Sequence, residues 1–317
     1  MTATLNSRAD EKKPPGSSST DAKQSDYRPS PWRRWAPVIM VSPMAILASI
    51  FIFLPAVLTF IGSWFTIPLA GGEWGFVGFA NYQRIFSDAR VIQAIINTIV
   101  YSVGTIVPSL VIGLLLALAA DSLTRGRALV RTLLFLPMTA NLVAMAVVFT
   151  FMFDFRSGVA NSLLGMVGVA PINWLGSTDY SLLTVALVGI WRTASFTMMI
   201  FFAGLATVPD TMHEAARMEG INGWTRLVKI TLPVMKPSVV FAVVMAVLQS
   251  VQAFDTVRVM TDGGPQHSSE LILTMAWRMG FQYFDLGAAS ALSFLMVLAL
   301  LAVGLWQRKV LSGKDER

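Results

Sequence analysis

The chain has 317 residues, of which 55% are apolar and only 13% charged, where soluble domains carry about a quarter charged residues. That balance excludes the ordinary soluble class and identifies a polytopic membrane protein. No cysteine is present, which removes disulfides, thiolate metal sites and cysteine nucleophiles; the net charge of +6 comes from Lys and Arg beside apolar runs, so membrane topology accounts for it without a nucleic-acid partner.

Met1 to about Pro31 is rich in Ser, Lys, Asp and Pro, and residues 1–31 are expected to form a disordered tail. The first apolar run begins only after Arg33-Arg34 and is too long for the core of a cleaved signal, so it reads as a retained span. Six spans are predicted, at about 36–63, 93–120, 129–153, 181–206, 238–255 and 286–306, within a membrane domain covering 32–311 and followed by a short tail, 312–317. Eighteen Lys and Arg fall in the two tails and the 121–131 and 207–237 loops, five fall in the alternate loops, and Arg192 lies inside a span. The asymmetry predicts that both termini and the 207–237 loop are cytoplasmic. Pro43, Pro55, Pro108 and Pro137 lie in or at the ends of spans and predict kinks supported by neighbouring helices.

The 207–237 loop is polar and turn-containing between two apolar runs, and reads as a helix–turn–helix at the membrane surface. Asp210 is expected to cap a first helix bearing His213, Glu214 and Arg217, Gly220 to supply the turn, and Asn222 to cap a second helix that Pro233 stops. The apolar side of that second helix, Trp224, Leu227, Val228 and Ile230, is expected to lie against the membrane domain, leaving Arg226 and Lys229 accessible.

Glu214-Ala215-Ala216, three residues, Gly220, nine residues, and then Ile230, Leu232 and Pro233 resembles the EAA loop of ABC importer permeases, E-A-A…G…I-x-L-P. A second segment, Phe254-Asp255, Thr261 and Gly263-Gly264-Pro265, is similar to the F-D…T-x-G-G-P signature of the carbohydrate-uptake permeases, the maltose and glycerol-phosphate type. Gly78-Phe79-Ala80-Asn81-Tyr82, Arg131 with Pro137, and Gly204-Leu205 with Val208-Pro209 extend the likeness over roughly 36–306. The chain departs from the usual D-G-A at Glu219-Gly220-Ile221, where the larger Ile221 alters the local fit.

The resemblance implies an all-α membrane protein with the six-transmembrane-helix, MetI-like fold of an ABC importer permease, multi-pass in the bacterial inner membrane. It implies a second homologous permease subunit, two cytoplasmic ATP-binding subunits and an extracytoplasmic solute-binding protein as partners, besides membrane lipid and a small-molecule solute. It assigns Glu214, Ala215, Ala216, Gly220, Ile230, Leu232 and Pro233 to ATPase coupling. The implied solute is a sugar or related polyol, with glycerol 3-phosphate or its diesters as the alternative.

Polar groups inside spans are the candidates for the solute path, because one facing lipid is costly. Arg192 reads either as a donor fork for hydroxyls or an anion, or as a structural pair with Asp255 or a helix carbonyl. Trp191 could stack on a sugar face, but neighbours on a helix point about 100° apart, so both cannot face one cavity squarely. Gln249, Gln252 and Thr256 recur at three and four residues, as one polar stripe for hydroxyl recognition or for helix–helix hydrogen bonds. Asn141 and Ser290, with Ser293, are weaker candidates because small polar residues also serve packing.

Catalytic readings are poorly supported. The two histidines, His213 and His267, begin no metal-binding pattern, no phosphate-binding G-x-x-x-x-G-K-[ST] occurs, and no cofactor is implied. An intramembrane enzyme built on Arg192 and Asp255 would lack a nucleophile–base pair and leave the 207–237 loop unexplained. An ion-coupled carrier would call for inverted repeats and more membrane carboxylates.

Overall fold

The computed structural model describes residues 31–67, 73–123 and 125–312. The expected disordered tail, apart from Pro31, and the last five residues lie outside the described residues. The chain divides into two compact units at Leu54/Pro55. In the first, helix α1 (Pro31–Ala48) runs into a π turn (Ser49–Phe53), with Met40, Met44, Phe51 and Phe53 all exposed.

The second unit begins in α2 (Leu54–Gly62) and a two-stranded antiparallel ribbon, β1 (Phe65–Thr66) and β2 (Gly75–Phe76), which pairs Phe65 with Phe76. Helices α3 (Ala80–Ser87) and α4 (Ala89–Ser122) follow. Asn81, buried in α3, donates to the carbonyls of Ser63 and Phe65 at 2.9 and 3.0 Å, tying the ribbon to the bundle. Asp88 caps α4, accepting from the Arg90 amide at 2.9 Å, and hydrogen bonds from the Arg90 side chain hold its carboxyl below the usual range.

The remaining helices are α5 (Arg127–Thr139), α6 (Leu142–Met152), α7 (Val159–Met166), α8 (Ser181–Leu205), α9 (Asp210–Met218), α10 (Gly223–Arg226), a second π turn (Leu227–Thr231), and α11 (Leu232–Val234). They are followed by α12 (Lys236–Val251), α13 (Asp255–Met260), α14 (Ile272–Phe281) and α15 (Leu286–Ser312). Among the described residues five helical stretches are long and apolar enough to cross a membrane, and the pair α5–α6 meets the same test as a sixth, bent by 94°. The order is the one expected from the sequence.

Two spans depart from straight helices. The third breaks between Thr139 and Leu142, where Pro137 lacks a donor and Asn141 turns out of the helix to cap α6, accepting from the Ala144 amide at 3.1 Å. The fifth breaks between Gln252 and Phe254.

The centre of the bundle is α4 against α8, with α12 packed on both. The inward side of α4 reads Ala94, Thr98, Ser102, Thr105, Ser109, Gly113 and Ala117, all buried, while Val103, Val107, Val111 and Leu115 face outward. Small and hydroxyl residues inside with large apolar ones outside is the membrane pattern, because close backbone approach, rather than expulsion of water, holds the helices. Thr197 of α8 donates to the Ser109 carbonyl of α4 at 3.0 Å across this contact.

Candidate functional site

The 207–237 loop forms the expected helix–turn–helix. In α9 Asp210 stands in the first turn and Arg217 in the last, signs that suit the helix dipole. The helix ends in a two-bond cap: the Ile221 amide donates to the Ala216 carbonyl at 3.0 Å and the Gly220 amide to the Arg217 carbonyl at 3.1 Å, with Gly220 at φ +69°. This explains the motif's spacing. Ala216, four residues before the glycine, is buried at 2% exposure, and half-buried Ile221 occupies the position that completes the apolar contact of such a cap. Asn222 then caps α10, accepting from the Thr225 amide at 2.8 Å.

Three expectations for this loop are corrected. Asp210 is the first helical residue and the cap position is Pro209, so its carboxylate serves the dipole rather than the cap. Trp224 is 74% and Val228 42% exposed, so the apolar side of the second helix does not lie wholly on the membrane domain. Those two, four apart, share one line of the helix and face out; Leu227 and Thr231 are on the next line, which turns inward. Pro233 does not stop the helix either. The π turn closes with the Leu232 amide on the Leu227 carbonyl, and this one-residue shift in bonding register carries the helix past a residue without a donor.

Glu214 and Ala215 are exposed, and Ile230 and Leu232 are half-buried. Between α9 and α10 lies a cleft of about 530 Å³ lined by Asp210, His213, Glu214, Arg217 and Arg226, with Asp121 from the end of α4. Met212, Met218, Trp224 and Val228 are exposed apolar side chains of the same segment, which lies outside the spans.

The candidates inside the spans are dispersed. Arg192 is the twelfth of the 25 residues of α8, where an arginine costs about 2.5–3.5 kcal/mol to insert. Its Nε is buried without a partner, and of the alternatives read from the sequence the structural pair with Asp255 is not formed. Gln249 has both amide atoms buried and unpartnered. Trp191 packs edge-on against Phe149, ring centroids 5.1 Å apart. The single polar stripe is corrected: Gln252 ends α12 and is exposed, while Asp255 and buried Thr256 belong to α13 beyond the break. Asn141 is exposed and occupied as a cap. Ser290 and Ser293 line a different cleft, of about 490 Å³, with Phe254, Trp277 and Phe281.

Sequence reasoning missed the construction of the loop between α13 and α14. Glu270 is fully buried, accepting from Arg278 Nε at 3.1 Å and lying 2.5 Å from His267 Nδ1. Asn97 of α4 donates to the carbonyls of His267 and Glu270 at 2.9 and 3.0 Å. Arg258 pairs with Asp262 and stacks 4.1 Å over the Trp277 ring. Gly264-Pro265 is cis, and Ser269 donates to the Gly264 carbonyl at 2.7 Å. The T-x-G-G-P signature is thus a pinned loop; its signal was the clustering of two acids, two arginines and a histidine within 21 residues.

With six spans and a surface helix–turn–helix established, the match to known proteins is decisive: residues 98–313 fit the family described as binding-protein-dependent transport system inner membrane component. The chain belongs to that family. It is 31% identical over 292 residues to the sulfoquinovosyl glycerol transport system permease protein SmoG of Agrobacterium fabrum, covering 90% of this chain and 95% of that one. It is 29% identical to the trehalose/maltose transport system permease protein MalF of Thermococcus litoralis, covering 84% and 90%. The fold matches a chain of a bacterial alginate ABC transporter solved in complex with an alginate pentasaccharide-bound periplasmic protein, with a TM-score of 0.75, 21% identity, and coverage of 87% and 93%. This protein is therefore an ABC importer permease, a multi-pass inner membrane component working in transport rather than catalysis.

Proposed function

We propose that this permease forms half of the translocation pathway for a sugar or related polyol and is driven by a separate ATPase gripping the 207–237 loop. Both termini and that loop are cytoplasmic in this reading, with residues 1–31 an N-terminal tail, 32–311 the permease domain and 312–317 a short tail. A second homologous permease completes the pathway, two ATP-binding subunits dock beneath, and an extracytoplasmic solute-binding protein delivers the solute. The relatives named above carry sugars and a sugar-derived glycerol conjugate, and the alginate transporter was solved with a saccharide-loaded periplasmic protein. Glycerol 3-phosphate or its diesters are the alternative cargo.

The observation that carries the reading is that one loop holds both exposed large apolar side chains, Met218, Trp224 and Val228, and a cleft lined by Glu214 and Arg226. A loop outside the membrane that keeps its large apolar residues in water is stabilised by covering them. Glu214 supplies the polar contact, and the capped turn at Gly220 fixes the angle between the two short helices. Closure of the ATPases on ATP is thereby passed through α9–α11 to α8 and α12, opening the pathway outward; hydrolysis resets it inward. The test is to purify the permease with its partners and measure ATP hydrolysis. Binding protein loaded with its solute should stimulate the rate severalfold over the unloaded form. A complex whose hydrolysis ignores the loaded protein, or a permease that retains no ATPase subunit, would contradict the reading.

A further inference from the structure

Helices α2 and α15 come to an end together. The first span finishes at Gly62 and the last begins at Leu286. A Cβ on Gly62 would lie 3.1 Å from Ser290 Oγ, and one on Gly287 would collide with the Phe65 carbonyl, so the two span ends and the start of the β1–β2 ribbon stand at one level. Charge begins immediately beyond it, where Asp285, the residue before α15, pairs with Arg84 of α3 at 2.9 Å. That level marks one edge of the hydrocarbon. It is the edge away from residues 207–237, since α4 packs on the start of α15 at Val91 and Ala94 and reaches the cleft of that loop at Asp121.

The ribbon standing on this edge is aromatic. Ser63 and Trp64 still turn helically, their amides on the Thr59 and Ile61 carbonyls, so Phe65 lies roughly 6 Å beyond Gly62, about the depth of the headgroup layer. Rings cross the boundary without a gap: Phe294 of α15, Phe60, Trp64 and Phe79 have successive centroids 4.8, 6.0 and 5.0 Å apart, and Trp64 stacks on Phe76 at 6.5 Å. A cleft of about 290 Å³ lined by Phe60, Ile61, Trp64, Phe65 and Phe76 joins the outward side of α2, where Phe60 and Ile61 are exposed, to the ribbon. Trp74, two residues before Phe76, is 66% exposed, with Phe76 at 67% and Phe79 at 63%.

These rings are held in place by polar bonds beneath them. Besides the two bonds from Asn81, the Val77 amide donates to the Trp64 carbonyl at 2.9 Å and the Tyr82 hydroxyl to Ser63 Oγ at 2.7 Å. Aromatic side chains fixed outward where spans end suit the membrane–water boundary, and a two-stranded ribbon with unpaired edges is tolerated there but not deeper. Charge adds little to the hold: Arg84 and Arg90 already pair with Asp285 and Asp88, and Glu73 adjoins Trp74.

We propose that Trp74, Phe76 and Phe79 form an interfacial anchor for this end of the bundle, seated among lipid headgroups and the first acyl carbons. The surface is continuous with the outward side of α2, and its partner is the lipid bilayer, without preference for anionic lipid.

The chain has no cysteine, so a spin label can be placed at one residue at a time. Phe76→Cys and Phe79→Cys are labelled in the full complex, with partner cysteines replaced and the binding protein omitted, in phosphatidylethanolamine vesicles with or without phosphatidylglycerol. Collision with oxygen, which concentrates in the bilayer, is compared with collision with a water-soluble nickel chelate; Gln266→Cys, on the exposed loop before α14, gives the value in water. The oxygen-to-nickel ratio at both ribbon positions should exceed that at Gln266 at least about fivefold, in either lipid mixture. Adding Trp74→Ser and Phe79→Ser should raise the nickel rate at Phe76 at least about twofold. A ratio equal to that at Gln266 places the ribbon in water and overturns the proposal. Shielding from both oxygen and nickel means that another subunit covers it, and overturns it as well. So do a ratio that rises only with phosphatidylglycerol, which makes headgroup charge the hold, and a nickel rate unmoved by the serines, which leaves the rings no anchoring role.

Discussion

Gly220 is where a single residue type is dictated by backbone geometry. Its φ of +69° is open to glycine and asparagine but costs other L-residues roughly 1–2 kcal/mol, most of all β-branched ones. Nothing lies within 4 Å of where its Cβ would be, so the cost of substitution is conformational strain and not a clash. Gly220→Val should therefore loosen the cap and speed amide exchange at Ile221, whose proton is held by the Ala216 carbonyl, by roughly 5- to 30-fold, whereas Gly220→Asn should stay within about threefold of the unmodified chain. Equal exchange in the two variants would show that the turn is not under this constraint. Glycine at this position was legible in the sequence because a turn between two short polar helices demands it. The burial of Ala216 was not legible, since no local pattern says which alanine of the pair turns inward.

Prolines in this protein are accommodated by their elements: Pro43 and Pro108 lie inside helices that continue through them, and Pro55, Pro233 and Pro137 show two other outcomes. Pro55 and Pro233 each follow a π turn, closed by the Leu54 amide on Ser49 and the Leu232 amide on Leu227, so the helix continues. Pro137 is followed by a true break of 94°. Hydrophobic periodicity gives the number and order of spans but carries no sign of which outcome a proline will have, which is why Asn141, the Gln252 break and the outward line of Trp224 and Val228 were not foreseen. Glu270 was illegible for a different reason: its burial depends on Arg278, His267 and on Asn97, 173 residues away, arriving together. Glu270→Ala should leave Arg278, 15% exposed, without its buried partner and cost about 3–5 kcal/mol. The measurement is thermal unfolding of the purified complex, and the double variant Glu270→Ala/Arg278→Ala should lose less than the sum of the singles. An unfolding temperature unchanged in Glu270→Ala would mean that the loop between α13 and α14 is held by its hydrogen bonds alone.

At the scale of the molecule the account has two ends joined by α8 and α12, a pinned loop at one and a capped helix–turn–helix at the other. In the proposed topology, which follows the charge asymmetry, the second is cytoplasmic. A reporter fused after Arg317 or inserted near Gly126 should be cytoplasmic, and one inserted at Gly168, an exposed turn at φ +77° with open space around it, should be outside. An external C-terminus would reverse the assignment of both loops. The central claim, that ATP-driven closure reaches the membrane through residues 207–237, is tested most directly by ATPase stimulation in the assembled complex. The rate with loaded binding protein is compared between the unmodified permease, Glu214→Ala and Gly220→Val, alongside the amount of ATPase subunit retained. The account predicts that each variant, inserted normally in the membrane, loses most of the stimulation or most of the bound ATPase; full retention with full stimulation in both would contradict it.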